Sequence, residues 1–549
     1  MWRLSCAILL LTACTSPTLS SSDLAAPDLG GDGPMITTPT AVIVATPDLV
    51  GFPTRLDGSS STGGNGTFLW HFVSVPPGSA VSDASLSSTS GATPSFDPDL
   101  GGDYTIQLTV FGSEGATGQT TADVRVRTLP VFYREGVFPT SGEASFAIGV
   151  VRSDGTGAHR ISCAVQSAGP GDLGGDDLYD LLEVPGLLSL RIDDRPGVPS
   201  RVAYEDVTST VTASTRTLGH SLWIADEDSD CASHPPVRLD DGAHPDQSQL
   251  GPRFSTDGAR VAWVDFGANG RLITAATDGT QRRVVRTSAK LSGTPPFWLD
   301  ATHLAWVEDV SATATPHLVF QSAADTAGAG DSAAKMLLDC APGADNLAVV
   351  NQFERLAGGA LLVAGGTQST TKGGSISLYE MGATCSTGAA QTLITPGAAG
   401  DAWDFEVAPD GVTVALSSSV VQVAAPAPQH DIYLAYTDGR PPVLFSGSDA
   451  LLDDVGPRFI AGGRQLTWTQ AARPDDAGAT RGAGVQVANL NGSHLRSLRP
   501  ESSSAQGRTA LVGGSNRGFA CDYGDGAPVP FCALVFVIAL FAWRRFSAG

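Results

Sequence analysis

The sequence predicts an all-β protein: a β-sandwich, then a ring of repeated four-stranded sheets, then a short apolar helix. Three observations lead to this fold class. The segment 250–288 reads as four short strands separated by turns such as Thr277-Asp278-Gly279-Thr280. Its pattern recurs along the chain, and 64 Gly and 35 Pro among 549 residues suit many turns. A four-stranded unit of about forty residues cannot bury both of its faces alone, so each unit needs neighbours like itself.

The composition limits the partners of the chain. The 33 basic residues are outnumbered by 56 acidic ones, which gives a formal charge of −23. Because phosphate binding needs a basic face, this balance argues against a nucleic-acid partner. At 549 residues the chain is too long for one ordinary core, so at least two domains are expected.

Residues 1–13 read as a signal peptide, because Arg3 is followed by a short apolar run and small residues. Leu11-Thr12-Ala13-Cys14 resembles a bacterial lipobox. The resemblance implies cleavage before Cys14 and a lipid on its sulfur, and Thr15 in the next position implies the outer membrane. The alternative is an ordinary signal peptide in which Cys14 is incidental. Residues 14–34 are rich in Ser, Pro, Gly and Asp and predict a flexible tether.

Residues 35–128 predict a β-sandwich of six or seven short strands. The turn Leu56-Asp57-Gly58-Ser59, the alternating strand around Trp70 and the strand at 102–110 follow one another in this segment. Together they resemble the PKD family of immunoglobulin-like domains, although residues 62–66 replace the usual Asp-Pro-Asp-Gly loop. The resemblance implies a spacer or adhesion module without catalysis. Trp70 is predicted to be the large ring of the core.

The unit at 250–288 recurs through residues 130–512, at a spacing of about 45 to 60 residues. Gly456-Pro457-Arg458-Phe459 repeats Gly251-Pro252-Arg253-Phe254. These repeats resemble the TolB-like, or PD40, family of β-propellers. Six full units can be counted, and a seventh, which begins near residue 131, would be completed by a strand at 509–512. We therefore predict seven blades, with six as the alternative.

Four cysteines lie in the repeat region. An even number in an exported protein suggests disulfides, and three pairings are possible. Unpaired thiols are the alternative. The four residues are Cys163, Cys231, Cys340 and Cys385.

The tail, residues 513–549, combines a Gly-rich segment containing Cys521, an apolar run at 531–543 and the pair Arg544-Arg545. It resembles the MYXO-CTERM type of surface-sorting tail, with Cys521 as the motif cysteine. Asp522 stands where glycine is more usual, and the apolar run is shorter than the roughly 20 residues of a membrane span. The run predicts a helix of about four turns that the repeats do not need for their core.

The sequence contains no strong catalytic motif, since His-Glu-x-x-His, Gly-x-Ser-x-Gly and a phosphate-binding glycine loop are all missing. Asp226, Asp228 and Asp230 are the best ion candidates, because alternate carboxylates suit Ca²⁺. The alternative is a solvated acidic hairpin tip. No other cofactor is predicted.

These patterns predict a non-enzymatic lipoprotein of the outer membrane or cell surface that binds protein or glycan partners through the ring. Its membrane contacts would be the lipid on Cys14 and, in addition, the apolar tail. One alternative is an envelope hydrolase or lyase built on the ring. Another is a TolB-like periplasmic partner of envelope complexes.

Overall fold

A computed structural model describes most of the chain between residues 37 and 513. The described residues are 37–138, 144–163, 166–168, 188–191, 199–211, 216–242, 248–266, 270–292, 294–309, 316–322, 335–339, 349–356, 360–366, 375–379, 391–394, 402–418, 430–446, 452–472, 484–500 and 508–513. The lipidation candidate Cys14, the tail residues Cys521, Arg544 and Arg545, and the predicted helix at 531–543 lie outside them. So do Cys340 and Cys385.

The described residues are almost all in β-strands, which confirms the all-β prediction. Their only helices are three single turns of 3₁₀ helix, at Asp83–Ser85, Ser113–Gly115 and Ala461–Gly463. No helix in this part of the chain has the length and apolar character needed to cross a membrane.

The first six strands form the sandwich. They are β1 (Val44–Thr46), β2 (Thr54–Asp57), β3 (Thr67–Ser74), β4 (Ser95–Phe96), β5 (Gly102–Phe111) and β6 (Thr117–Val126). One sheet has the order β1-β2-β4 and the other the order β3-β5-β6. Trp70 is 1% exposed between them and donates its indole N–H to the carbonyl of Gly91 at 2.8 Å. The prediction that Trp70 lies in the core is confirmed.

Seven further sheets follow, and we call them blades 1 to 7. Blade 1 contains β7 (Pro130–Phe138), β8 (Ala144–Arg152), β9 (His159–Arg160), β10 (Gln166–Ala168) and the last strand of the described residues, β35 (Arg508–Gly513). Blade 2 contains β11 (Leu188–Arg191), β12 (Arg201–Val211), β13 (Arg216–Asp226) and β14 (Val237–Arg238). Blade 3 contains β15 (Ser248–Phe254), β16 (Arg260–Phe266), β17 (Gly270–Ala276) and β18 (Arg283–Ser288). Blade 4 contains β19 (Phe297–Trp298), β20 (His303–Asp309), β21 (Pro316–Ser322) and β22 (Lys335–Asp339).

The remaining three blades have the same plan. Blade 5 contains β23 (Val349–Arg355), β24 (Leu361–Gly366), β25 (Ser375–Tyr379) and β26 (Gln391–Ile394). Blade 6 contains β27 (Ala402–Val407), β28 (Thr413–Ser418), β29 (Asp431–Tyr436) and β30 (Val443–Leu444). Blade 7 contains β31 (Leu452–Ile460), β32 (Gln465–Ala472), β33 (Gly484–Asn489) and β34 (Arg496–Pro500). Each is an antiparallel meander of consecutive strands.

The closing strand predicted at 509–512 is present as β35. It pairs antiparallel with β7, so that Thr509 lies opposite Val137 and Val512 opposite Arg134. The end of the chain therefore supplies the first strand of blade 1, and seven sheets are formed rather than six. Blade 1 therefore combines strands from the beginning and from the end of the repeat region.

Alternating side chains explain why the blades stack. Successive residues of a strand face opposite sides of its sheet. In β16, Val261 and Trp263 pack against blade 2, whereas Ala262 and Val264 pack against blade 4. Each blade thus has two apolar faces, and neighbouring blades bury both.

The Asp-Gly turns of blade 3 are confirmed. Gly258 and Gly279 have φ angles of 72° and 79°, the left-handed region that glycine adopts without a Cβ penalty. The sequence pattern predicts the fourth strand at Gln281 to Val285, and in the structure it begins two residues later, at Arg283. Gln281 has a φ of 54° and therefore extends the turn.

Candidate functional site

The first strands of blades 3 to 7 place one residue each at the same register position. In every case its partner on the second strand lies just before a buried apolar side chain, as Ala262 lies before Trp263. The pairs are Arg253 with Ala262, Phe297 with Ala305, Glu354 with Leu362, Glu406 with Ala415, and Arg458 with Thr467. Four of these five residues are charged. We call Arg253, Glu354, Glu406 and Arg458 the central tier.

Bulges precede the charged positions. The register of β15 shifts between Leu250 and Arg253, and that of β31 between Val455 and Arg458. Gly251 and Gly456 occupy these bulges with positive φ angles of 60° and 66°. A bulge changes the direction of the side chain that follows it. The repeated Gly-Pro-Arg-Phe sequence forms the same β-bulge in blades 3 and 7.

The charges of the central tier act on one another across the ring. Burial raises the pKa of Glu406 to about 7, with Arg458 opposing this rise and Glu354 adding to it. Burial also raises the pKa of Glu354, against the opposing pull of Arg253 and Arg458. Charges from blades 3 and 7 thus both reach a carboxylate of blade 5. Glu354 and Glu406 each keep part of their surface accessible.

Both glutamates are held in place by the blade that follows. The backbone N–H of Phe459 donates to Oε2 of Glu406 at 2.7 Å. The backbone N–H of Val407, at the equivalent position of blade 6, donates to Glu354. Gln352 also donates to Glu354, at 3.4 Å, and bonds the backbone of Phe405 in blade 6. These bonds fix the orientation of both carboxylates.

A second level of polar residues lies on the same strands. Trp263 donates its indole N–H to Oε1 of Gln249 at 2.7 Å, and Trp468 donates to Oδ1 of Asp454 at 3.1 Å. Asp454 is 1% exposed, and its burial raises its pKa to about 7 although hydrogen bonds from Ser446 and Trp468 oppose the rise. This level is closed to solvent and has a structural role.

The aspartates predicted to bind Ca²⁺ accept hydrogen bonds in the turn after β13. Oδ1 of Asp226 accepts from the backbone N–H of Asp228 at 3.1 Å, and its Oδ2 lies 3.0 Å from Nε2 of His234. Oδ1 of Asp230 accepts from the backbone of Ala232 at 2.7 Å. Within the described part of the chain, no three Asp, Glu, His or Cys side chains form a group able to hold a metal ion. Local hydrogen bonds engage these carboxylates, as is usual for Asp in turns, and the calcium site stays a prediction.

Among the four ring cysteines, the structure joins Cys163 to Cys231 in a disulfide. The bond ties the segment between β9 and β10 of blade 1 to the turn between β13 and β14 of blade 2. It selects one pairing for these two residues, which sequence spacing did not choose.

The central tier was missed by the search for motifs, although a signal for it exists. Arg253 and Arg458 stand at equivalent places in the two Gly-Pro-Arg-Phe repeats. Glu406 stands at the same distance before the Ala408-Pro409-Asp410-Gly411 turn as Arg253 does before its own turn. Alignment of the repeats by their turns would have placed these charges at one level.

No protein-family model matches the sequence, and no curated protein matches it. Solved structures with a similar fold include TolB from Acinetobacter baumannii, which is 14% identical with a TM-score of 0.38. The matched region covers 69% of this chain and 81% of the TolB chain. An oligogalacturonate lyase from Vibrio parahaemolyticus is 11% identical with a TM-score of 0.38, and the match covers 58% of this chain and 85% of the lyase chain. The β-propeller domain of the Trilobed protease from Pyrococcus furiosus is 10% identical with a TM-score of 0.35, and the match covers 63% of this chain and 99% of that domain's chain. These likenesses concern the fold alone.

The prediction that the protein is not an enzyme is contradicted by this comparison. Solved structures with a similar fold include several enzymes: oligogalacturonate lyases, an acylaminoacyl peptidase, a prolyl endopeptidase and a puromycin hydrolase. The prediction depended on the lack of contiguous catalytic motifs. A ring collects its polar residues from separate blades, as the central tier shows, so that lack does not decide the question.

Proposed function

We propose that the protein is an exported cell-envelope protein that binds an acidic glycan at the central tier. One observation carries this proposal. Four charged residues from four blades lie at one register position, and three of them, Arg253, Glu354 and Glu406, are of intermediate exposure. Ligand sites need a few convergent polar groups on a rigid frame.

The charges favour an anionic ligand. Because the pKa of Glu406 is raised to about 7, this carboxyl is protonated in mild acid, and the two guanidinium groups of Arg253 and Arg458 then outnumber the ionised carboxylates. Arginine pairs well with the carboxylate of a uronic acid, since its planar fork matches two oxygens. A protonated Glu406 would add a hydrogen-bond donor to the site.

Export and anchoring are part of the same proposal. The signal peptide at 1–13, the lipobox at Cys14 and the tail with Cys521 and Arg544-Arg545 are sequence features that support it. The Cys163–Cys231 disulfide is a further support, since such bonds persist in oxidising compartments.

A glycan array read at pH 5 and pH 8 tests the binding. We expect the full-length protein to bind uronate-containing oligosaccharides more tightly at pH 5, and Arg458→Gln to weaken that binding at least about tenfold, as loss of a charged hydrogen bond does. Arg440→Gln is the matched control, because Arg440 is exposed on a turn of blade 6 and pairs with Asp438. Equal binding by both variants would contradict the site. Capture of an envelope protein in place of any glycan would instead favour a protein partner.

A second candidate function is acid–base cleavage of such a glycan by a hydrolase or lyase reaction. The observation that favours it is the pKa of Glu406, about 7, because a general acid or base works best near the ambient pH. Incubation with uronate polysaccharides, followed by the appearance of new chain ends, measures it. Turnover that Glu406→Gln abolishes would establish cleavage, and binding without turnover would reject it.

A further inference from the structure

The loop at 47–53, between β1 and β2 of the sandwich, reaches the ring, and we call it the clasp loop. Leu49 forms a parallel bridge with Arg127, and the backbone N–H of Val50 donates to the carbonyl of Arg127 at 3.0 Å. Only residues 127–129 separate β6 of the sandwich from β7 of blade 1. The clasp loop is therefore fixed beside the start of blade 1.

Side chains of blade 7 bind the clasp loop from the other side. Nη1 and Nη2 of Arg464 lie 2.7 and 2.8 Å from the two carboxylate oxygens of Asp48. This pairing holds the pKa of Asp48 below its usual value. The buried amides of Gln465 and Asn489 donate to the carbonyls of Val50 and Gly51, at 3.1 and 2.8 Å. A fork-shaped ion pair and two buried hydrogen bonds thus join residues more than 400 positions apart in sequence.

Apolar contacts complete the joint. Leu49 is 2% exposed and belongs to one cluster with Val131 of blade 1 and with Ile460 and Val485 of blade 7. Phe52 packs on the edge of the same cluster, and the guanidinium of Arg464 lies 4.1 Å from the centre of its ring. The side chain of Leu49 therefore lies in the seam between the first and last blades.

This seam differs from every other contact between blades. Neighbouring blades are elsewhere consecutive in sequence, whereas blades 1 and 7 are brought together only by the closing of the ring. β35 closes it from the end of the chain by pairing with β7. The clasp loop supplies a second closure from the beginning of the chain.

We propose that the sandwich acts as a clasp that holds blade 7 against blade 1, with loop 47–53 as the contacting element. This role differs from the independent spacer or adhesion module that its family resemblance implies. If it is correct, loss of the contacts between the clasp loop and blade 7 should by itself make the seam open more often, even with β35 in place.

Gly51 offers a test that changes no residue of the ring. Its φ is +90°, and an added Cβ would lie 2.8 Å from Nε2 of Gln465, so a side chain here moves either that amide or the clasp loop and disturbs the bond from Gln465 to the carbonyl of Val50. Gly115 is a matched control, because its φ is +81° in the same sandwich and an added Cβ meets nothing within 4 Å. Backbone strain is thus similar in the two variants, whereas only one of them collides with blade 7.

The measurement is amide hydrogen exchange of the full-length protein, followed strand by strand. In Gly51→Val we expect exchange at least about tenfold faster in β7, β8, β32 and β33, with no change in β15–β18 on blade 3, because local opening sets the exchange rate. Gly115→Val should leave all these strands unchanged. Unchanged exchange at the seam in Gly51→Val would overturn the proposal.

A charge reversal keeps the test decisive if Gly51→Val also loosens the sandwich. Arg464→Glu should speed exchange at the seam, and the double variant Asp48→Arg with Arg464→Glu should restore much of the protection. Faster exchange spread evenly over all seven blades, or no recovery in the double variant, would show that the contacts are incidental.

Discussion

Trp468 donates its indole N–H to a carboxylate oxygen of Asp454 at 3.1 Å, in the place where blade 3 uses the amide of Gln249 for Trp263. An amide makes this bond without any charge. Asp454 makes it with a group whose pKa is raised from 3.8 to about 7 by burial. The same structural contact is thus pH-dependent in blade 7 and not in blade 3.

Asp454→Asn should remove that dependence. The folded state holds the proton of Asp454 more tightly than the unfolded state does, so wild-type stability falls as the pH rises from about 4 to about 7. The asparagine variant should therefore gain in melting temperature relative to the wild type between pH 4 and pH 8, by a few degrees. Thermal unfolding at a series of pH values measures this. The reverse change, Gln249→Glu, should introduce such a loss in blade 3, and parallel curves for all three proteins would contradict the assignment.

The Cys163–Cys231 bond should contribute to stability. A closed loop of this size is worth about 2–4 kcal/mol. Cys163→Ser and Cys231→Ser should each lower the free energy of unfolding by that amount, and the double variant should lose no more than either single one. Denaturant unfolding with and without reductant measures it. Additive losses in the double variant would mean that the two residues do not act through a shared bond.

Trp70→Ala should destabilise the sandwich strongly. Removal of this buried ring leaves a cavity and an unpaired carbonyl at Gly91, at a cost of about 3–5 kcal/mol. The neighbouring Leu69 is 47% exposed, so Leu69→Ala should change stability by less than about 0.5 kcal/mol. Denaturant unfolding of the two variants, followed by far-UV circular dichroism because that signal does not depend on Trp70, measures both losses. Similar losses would place the core elsewhere.

Lipid attachment at Cys14 predicts that Cys14→Ser releases the protein or leaves its signal peptide uncleaved. Each buried CH₂ of an acyl chain contributes about 0.8 kcal/mol, so two chains anchor stably where one does not. Fractionation of membranes and supernatant measures the outcome. A Cys14→Ser protein that is processed and still membrane-bound would identify the tail as the working anchor.

Deletion of everything after Gly518 should leave the melting temperature unchanged and alter only localisation. The deletion removes Cys521, the apolar run at 531–543 and Arg544-Arg545, and it keeps β35, which ends at Gly513. Calorimetry and fractionation of the same variant provide the two readouts. A melting temperature lower by several degrees would show that the tail belongs to the fold and is not a sorting segment.

Local patterns were sufficient to predict much of the architecture. Alternating residues and Asp-Gly turns predicted the strands of blade 3, the buried Trp70 and the closing strand β35, because each depends on backbone preferences and a period of two. The strand after Gln281 was placed two residues early, since the positive φ of that residue is not a preference of its type.

The sequence by itself determined the all-β class, the repeats and the apolar faces that make the blades stack. Only the tertiary structure decided that Arg253 and Arg458 lie close enough to Glu354 and Glu406 to act on their pKa values, because closing a ring brings equal register positions of distant strands together. The same holds for Asp48 and Arg464, which are 416 residues apart and meet at the seam. Contacts of this kind depend on how whole sheets are placed, and no local pattern of residues encodes that placement.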